Sequence, residues 1–133
     1  MEKWIGVVGG VGPFAGIDLL GKIAAQTVAE KDQDHLTVLN WSQPDQIVDR
    51  TEFLLGQVTQ NPATALAVQV QQLAKMGADV VGIPCNTAHA PRIFNRIRAE
   101  LAAANCVVLL LNMIEEVGRF LHSNLPNVKR IGV

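Results

Sequence analysis

A single cysteine followed by polar residues is the part of this sequence best suited to chemistry. Cys85 lies in the segment Gly82-Ile-Pro-Cys-Asn-Thr-Ala-His89, after a short apolar run and before a helical pattern at about 88–104. The order predicts a thiol where a strand ends and a helix begins, a position that favours negative charge. Such a thiol loses its proton more readily and can act as a base or a nucleophile. Asn86 and Thr87 can cap the helix or hold an anionic ligand beside the sulfur.

The remaining cysteine and the histidines have weaker patterns. Cys106 opens the apolar run Cys-Val-Val-Leu-Leu-Leu, which predicts a small core residue. His89 follows Cys85 by four residues and could share a helix face with it, but two ligands do not make a zinc site. We therefore predict no metal and a supporting role for His89. His35 and His122 are predicted to lie on the surface.

Two other segments could bind an anion. The turn that contains Gly10, Val11 and Gly12 fits the dinucleotide pattern G-x-G-x-x-A. The next predicted strand ends without the Asp or Glu that would bind a ribose, so we favour a turn whose backbone approaches a carboxylate. Arg50, within Asp-Arg-Thr, is either a bidentate carboxylate clamp or a solvated surface residue. The sequence pattern alone leaves both interpretations open.

The composition excludes several classes of protein. The chain has 133 residues, 49% of them hydrophobic, and a net charge of −1 at pH 7. It has no cluster of Lys and Arg, which argues against nucleic acid as a partner. No apolar run reaches the length of a membrane span, and the first residues predict a strand and turn, not a signal peptide. Two cysteines give no disulfide framework, so a cytoplasmic location is expected.

Apolar runs and helical patterns alternate along the chain. Such alternation predicts βαβ units and an α/β fold of three layers, with helices on both faces of a parallel sheet. Ligands of such sheets bind outside the carboxyl ends of the strands, where 9–13, 42–50 and 85–89 should converge. Strands are predicted at 4–8, 36–39, 78–85 and 106–111, and the start of a fifth at 129–133; helices are predicted at 14–30, 51–55, 62–76, 88–104 and 113–123.

Three motifs in this order resemble the aspartate/glutamate racemase family, in its aspartate racemase branch. Gly9-Gly-Val-Gly-Pro13 is similar to the Gly-Gly-Met-Gly-Pro of that branch, with valine in place of methionine. Asp49-Arg-Thr51 resembles its Asp-Arg-Thr, and Pro84-Cys-Asn-Thr-Ala-His89 contains its Cys-Asn-Thr-Ala-His. The Cys-Asn-Thr motif is specific in this setting, whereas the glycine turn alone is not.

The resemblance implies a racemase without a cofactor, in which one cysteine from each of two similar lobes acts on opposite faces of an acidic amino acid. Cys85 would be the acid/base of the first lobe. Asn86, Thr87 and the turn at Gly10, Val11 and Gly12 would bind the α-carboxylate or ammonium. Arg50 would hold a carboxylate.

The resemblance also predicts that this chain is one lobe of a two-lobe fold. The Gly-Cys-Thr motif of a second lobe does not occur in the sequence. Residues 1–125 would then be the first lobe with its crossover, and 126–133 the start of a missing second lobe. We expect little racemisation by the chain alone, and a homodimer or larger assembly. A non-catalytic domain of the same fold, which binds a small anion or associates with another chain, is the alternative.

Overall fold

The computed structural model describes residues 2–132 and contains one parallel sheet between two layers of helices. The four strands have the order β2-β1-β3-β4 and are β1 Ile5–Gly9, β2 Val38–Ser42, β3 Val80–Gly82 and β4 Leu109–Leu110. The helices are α1 Pro13–Gln26, α2 Arg50–Leu54, α3 Ala63–Lys75, α4 Pro91–Ala103 and α5 Met113–Asn124. Helices α3 and α4 pack together against one face of the sheet, and α1 and α5 lie on the other. The predicted three-layer α/β fold is confirmed.

The main hydrophobic core lies between the sheet and the α3–α4 pair. Val7, Val8 and Val81 of the strands have no exposed surface. The predicted inward stripes are confirmed, because the residues at helical spacing on α3 and α4 are all buried. These stripes consist of Leu66, Val70 and Leu73 on α3, and Ile93, Ile97 and Leu101 on α4.

The opposite face of the sheet is much less covered. Gly16 is the buried residue of α1, and none of the residues of α5 is buried. Large apolar side chains on these helices reach solvent, among them Phe14, which is 85% exposed, and Phe120, which is 62% exposed. Within residues 2–132, none of the helices combines the length and apolar character needed to cross a membrane.

Polar residues and glycine define the helix ends much as predicted. The Asn61 side chain accepts a hydrogen bond from the Ala63 N–H at 2.9 Å, at the start of α3. Gly77 follows the end of α3 with φ +109°, a conformation that glycine adopts most readily. Asn112 caps α5 through bonds from the Ile114 and Glu115 N–H groups. The Glu115 carboxylate in turn accepts a hydrogen bond from the side-chain amide of Asn112. In a capping box it would accept from the backbone N–H of Asn112 instead.

Two predicted boundaries in the first half of the chain are wrong. Helix α1 ends at Gln26 instead of Glu30, because the backbone of Thr27 is extended, with φ −78° and ψ 125°. The Thr27 hydroxyl donates at 2.7 Å to the carbonyl of Ile23, in the last turn of the helix. Strand β2 starts and ends later than predicted, since it pairs with the whole of β1 from Ile5↔Val38 to Gly9↔Ser42. Its last three residues, 40–42, therefore belong to the sheet and not to the following loop.

The second half of the sheet is shorter than predicted. The third strand ends at Gly82 and not at Cys85, since Pro84 has no N–H to continue the ladder. Strand β4 pairs only with this short strand, so it contains just Leu109 and Leu110. Residues 129–132 form no strand and have no backbone hydrogen bond to the sheet, and Val133 lies outside the described residues.

We expect the Asp79 carboxylate to make stability depend on pH. The Trp4 N–H, which donates to it at 2.9 Å, and the Lys3 ammonium hold the pKa of Asp79 below its ordinary value of 3.8. The unfolded chain therefore takes up this proton at a higher pH than the folded chain. The stabilisation is complete above about pH 4 and is lost as the pH falls through the folded-state pKa.

Urea unfolding of the wild type and of Asp79→Asn measures this effect. Asparagine keeps an acceptor for the Trp4 N–H but has no charge. The wild type should be the more stable protein at about pH 7, and the difference should shrink toward about pH 3. A difference that stays constant over this range would contradict the assignment.

Candidate active site

Cys85 lies just beyond the carboxyl end of the central strand β3. Its N–H donates to the Ile83 carbonyl at 2.8 Å, which bends the chain away from the sheet. A single 3₁₀ turn, Thr87–His89, follows, and α4 begins only at Pro91. Helix α4 therefore begins about one turn later than the predicted start at Ala88, and neither Asn86 nor Thr87 caps it.

Cys85 is partly exposed and lines a surface pocket of about 360 Å³. Its Sγ lies 3.3 Å from the Thr87 Oγ1, a distance suited to a hydrogen bond with a thiol or thiolate. Asn86 lines the same pocket. The structure therefore brings three of the predicted site residues together at one sheet end.

Helix α1 forms the opposite wall of this pocket. It contributes Ala15, Asp18, Leu19 and Lys22, and Asp18 and Lys22 form an ion pair. Sequence reasoning did not identify these residues as part of a site. Their spacing of three and four residues places them on one helix face. This spacing is the pattern in the sequence that could have identified them as one wall of a site.

His89 is buried behind the Cys85 segment. Its Nδ1 lies 2.7 Å from the carbonyl oxygen of Cys85, and its ring stacks on that of Phe94 with centroids 4.9 Å apart. His89 is thus in contact with the cysteine segment through the backbone. His35 and His122 are exposed, as predicted.

The glycine turn packs on the segment that follows β2. Gly10 has φ +83°, and a Cβ at this position would lie 3.0 Å from the Pro44 backbone nitrogen. Gly10 and Val11 are buried and Gly12 is exposed, so Gly12 is the residue of this turn that reaches the surface. Gly12 precedes α1 and has open space where a Cβ would stand.

The sequence predicts that Arg50 precedes a helix at 51–55, whereas in the structure Arg50 is the first residue of α2. Asp49 caps this helix by accepting from the Glu52 N–H at 2.9 Å, and this bond lowers the pKa of Asp49 below its ordinary value. Helix α2 packs against the Thr87–His89 turn. The Arg50 Nε is buried and has no hydrogen-bond partner within residues 2–132. Arg50 is not among the residues that line the Cys85 pocket.

Cys106 lies elsewhere in the molecule. It follows α4 in a turn, where its N–H donates to the Leu101 carbonyl at 3.0 Å, and its side chain packs against the core. The prediction is only partly right, because Cys106 is half-buried at the edge of the core and is not in a strand. In the described part of the chain, no group of three or more His, Cys, Asp or Glu could hold a metal ion.

Comparison with known proteins agrees with this architecture. Residues 8–133 match the model of the family described as Asp/Glu/Hydantoin racemase. Aspartate racemase from Picrophilus torridus is 30% identical, with a TM-score of 0.76 over 93% of this chain and 49% of its own. An aspartate racemase homologue from Pyrococcus horikoshii OT3 is similar in fold, with 18% identity and a TM-score of 0.68 over 94% of this chain and 50% of its own.

The chain thus spans about half the length of these two structures, which agrees with the prediction of one lobe of a two-lobe fold. The family model covers the glycine turn from Gly9 onward, Arg50 and the Cys85 motif. The chain belongs to the Asp/Glu/Hydantoin racemase family.

Proposed function

We propose that this chain provides one half of the active site of an amino-acid racemase that needs no cofactor and acts on aspartate or glutamate. The observation that carries the proposal is the position of Cys85, partly exposed in a pocket at the carboxyl end of the sheet, with its Sγ 3.3 Å from the Thr87 hydroxyl. Ligands of parallel α/β sheets bind at this edge.

In the proposed reaction, the Cys85 thiolate removes the α-proton of the amino acid. The sulfur becomes a thiol, and the α-carbon keeps the electron pair as a carbanion. A proton delivered to the opposite face then gives the other enantiomer. Cys85 reaches one face only, so complete inversion requires a second acid on the far side.

The surrounding polar groups would stabilise the negative charge that develops on the substrate. Asn86 and Thr87 flank the sulfur and are suited to bind the α-carboxylate or ammonium. The backbone at Gly10, Val11 and Gly12 would contribute N–H groups from the neighbouring turn. Fixed donors in a site from which water is excluded stabilise such a transition state far better than water does.

We expect Arg50 to hold a substrate carboxylate. Its Nε is buried without a hydrogen-bond partner in the described part of the chain, and its helix packs against the turn that follows Cys85. Arg50→Ala should weaken aspartate binding by about 10- to 100-fold, since charge-assisted bonds are among the strongest in proteins. Arg50→Lys keeps the charge without the forked geometry and should restore only part of the affinity.

Isothermal titration with aspartate measures these affinities. Arg96→Ala is the matched control, because this arginine lies on the exposed side of α4. Unchanged affinity in Arg50→Ala would exclude the proposed clamp.

The test of the proposed function is exchange of the α-proton in deuterated water. The chain should exchange the α-proton of aspartate or glutamate faster than buffer does, and should leave alanine unchanged. Binding of these amino acids without exchange would favour the non-catalytic anion-binding domain.

We further propose that the chain associates into a dimer or a larger assembly. Helices α1 and α5 lie on the same face of the sheet and expose large apolar side chains, and exposed apolar surface favours association. These side chains are Phe14 and Ile17 on α1, and Ile114, Val117 and Phe120 on α5. Sedimentation velocity should show association that Phe120→Glu reduces and that Val107→Glu, on a residue outside both helices, does not. A monomer at every concentration would be the contrary result.

A further inference from the structure

A buried histidine in contact with the backbone of Cys85 has no part in the reaction proposed above. His89 is only 7% exposed and lies in the 3₁₀ turn that follows Cys85. Its ring stacks on Phe94 with the planes inclined by 25°. An apolar ring would serve this packing better, because a buried ring nitrogen without a partner costs free energy. The presence of a histidine at this buried position therefore indicates a polar interaction of its ring.

That interaction is a hydrogen bond from the His89 ring to the backbone of Cys85. The Nδ1 of His89 lies 2.7 Å from the carbonyl oxygen of Cys85. A carbonyl oxygen can only accept, so Nδ1 must carry the hydrogen in this bond. The Nε2 is buried and has no partner within residues 2–132. Within the described residues, the His89 ring therefore makes one hydrogen bond, and its acceptor is the backbone carbonyl of Cys85.

We propose that His89 is a positioning residue for Cys85, an inference that rests on the proposed function. Cys85 lies on an irregular segment between β3 and α4, so few backbone bonds fix its place. By holding the Cys85 carbonyl, the imidazole fixes the peptide unit from which the Cys85 side chain projects. This keeps the sulfur beside the Thr87 hydroxyl, at the pocket that Cys85 lines.

Two substitutions separate the hydrogen bond from the packing. His89→Phe keeps an aromatic ring against Phe94 but cannot donate to the Cys85 carbonyl. His89→Asn loses the ring but keeps a side-chain N–H near the place of Nδ1. His122→Asn, at an exposed histidine on α5, is the control.

The first readout is amide hydrogen exchange by mass spectrometry, which needs no catalytic activity. In His89→Phe, the peptide that covers 84–89 should exchange about tenfold faster, whereas the peptide from α3 should not change. In His89→Asn, the rate at 84–89 should stay near that of the wild type, although thermal stability falls. Unchanged exchange at 84–89 in His89→Phe would overturn the proposal.

The second readout is exchange of the substrate α-proton. For His89→Phe we expect kcat to fall about tenfold with little change in KM, and His89→Asn should recover most of the loss. Equal losses in both variants would overturn the proposal, because packing would then be the cause. Unchanged kcat in His89→Phe would overturn it as well. If the wild type itself fails to exchange the α-proton, the proposed function falls, and amide exchange still decides whether His89 holds the Cys85 segment.

Discussion

Cys85→Ala should lower α-proton exchange from aspartate or glutamate by at least about 100-fold. A positioned acid/base typically contributes about 10²- to 10⁴-fold to such a reaction, and alanine removes the group that takes the proton. The side chain is partly exposed, so the loss of the sulfur should leave the fold intact. The exchange rate is followed by loss of the α-proton signal in deuterated water.

Cys106→Ala is the matched control for this experiment. Cys106 packs against the core after α4 and has no place in the Cys85 pocket. This variant should keep the wild-type exchange rate even if its thermal stability is lower. Exchange that survives in Cys85→Ala, or that depends on Cys106 instead, would exclude Cys85 as the base.

Phe94→Ala should have the largest effect on stability. Phe94 is 1% exposed on α4, stacks on His89 and lies under the Arg98 guanidinium at 4.7 Å. Removing a buried phenyl ring costs about 3–5 kcal/mol, against a total stability of about 5–15 kcal/mol for a typical domain. The cavity would also free the His89 ring, so we expect the Cys85 segment to lose order before the sheet does.

Chemical denaturation measures this loss, with Phe14→Ala as the control of the same residue type. Phe14 is 85% exposed on α1, so its truncation should change the free energy of unfolding by no more than about 0.5 kcal/mol. Similar losses in the two variants would contradict the assignment of the core to the α3–α4 side.

The features that sequence reasoning predicted well are those with a periodic or local signal. The spacing of Leu66, Val70 and Leu73 identified the buried face of α3, and Gly77 identified its end. The strand–turn–helix order around Cys85 placed the thiol at the right edge of the sheet. Each of these signals depends on neighbours within a few residues.

The features that were missed depend on contacts between distant segments. Strand β4 is short because its partner β3 is short, which no pattern within residues 106–111 reveals. Arg50 begins a helix because Asp49 caps it, although the surrounding polar residues favoured a loop. The His89 bond to the Cys85 carbonyl needs an irregular backbone, so a helical spacing of four residues could not predict it.

The most direct test of whether Cys85 acts on a single face of the α-carbon follows two quantities in the same sample. These are deuterium incorporation into the amino acid and the configuration of its α-carbon. L- and D-aspartate are each incubated with the chain in deuterated water, and the product is analysed by mass and by chiral chromatography. We expect Cys85-dependent deuterium incorporation into one enantiomer with its handedness retained, since Cys85 serves a single face. Inversion as fast as incorporation, or incorporation that persists in Cys85→Ala, would contradict it.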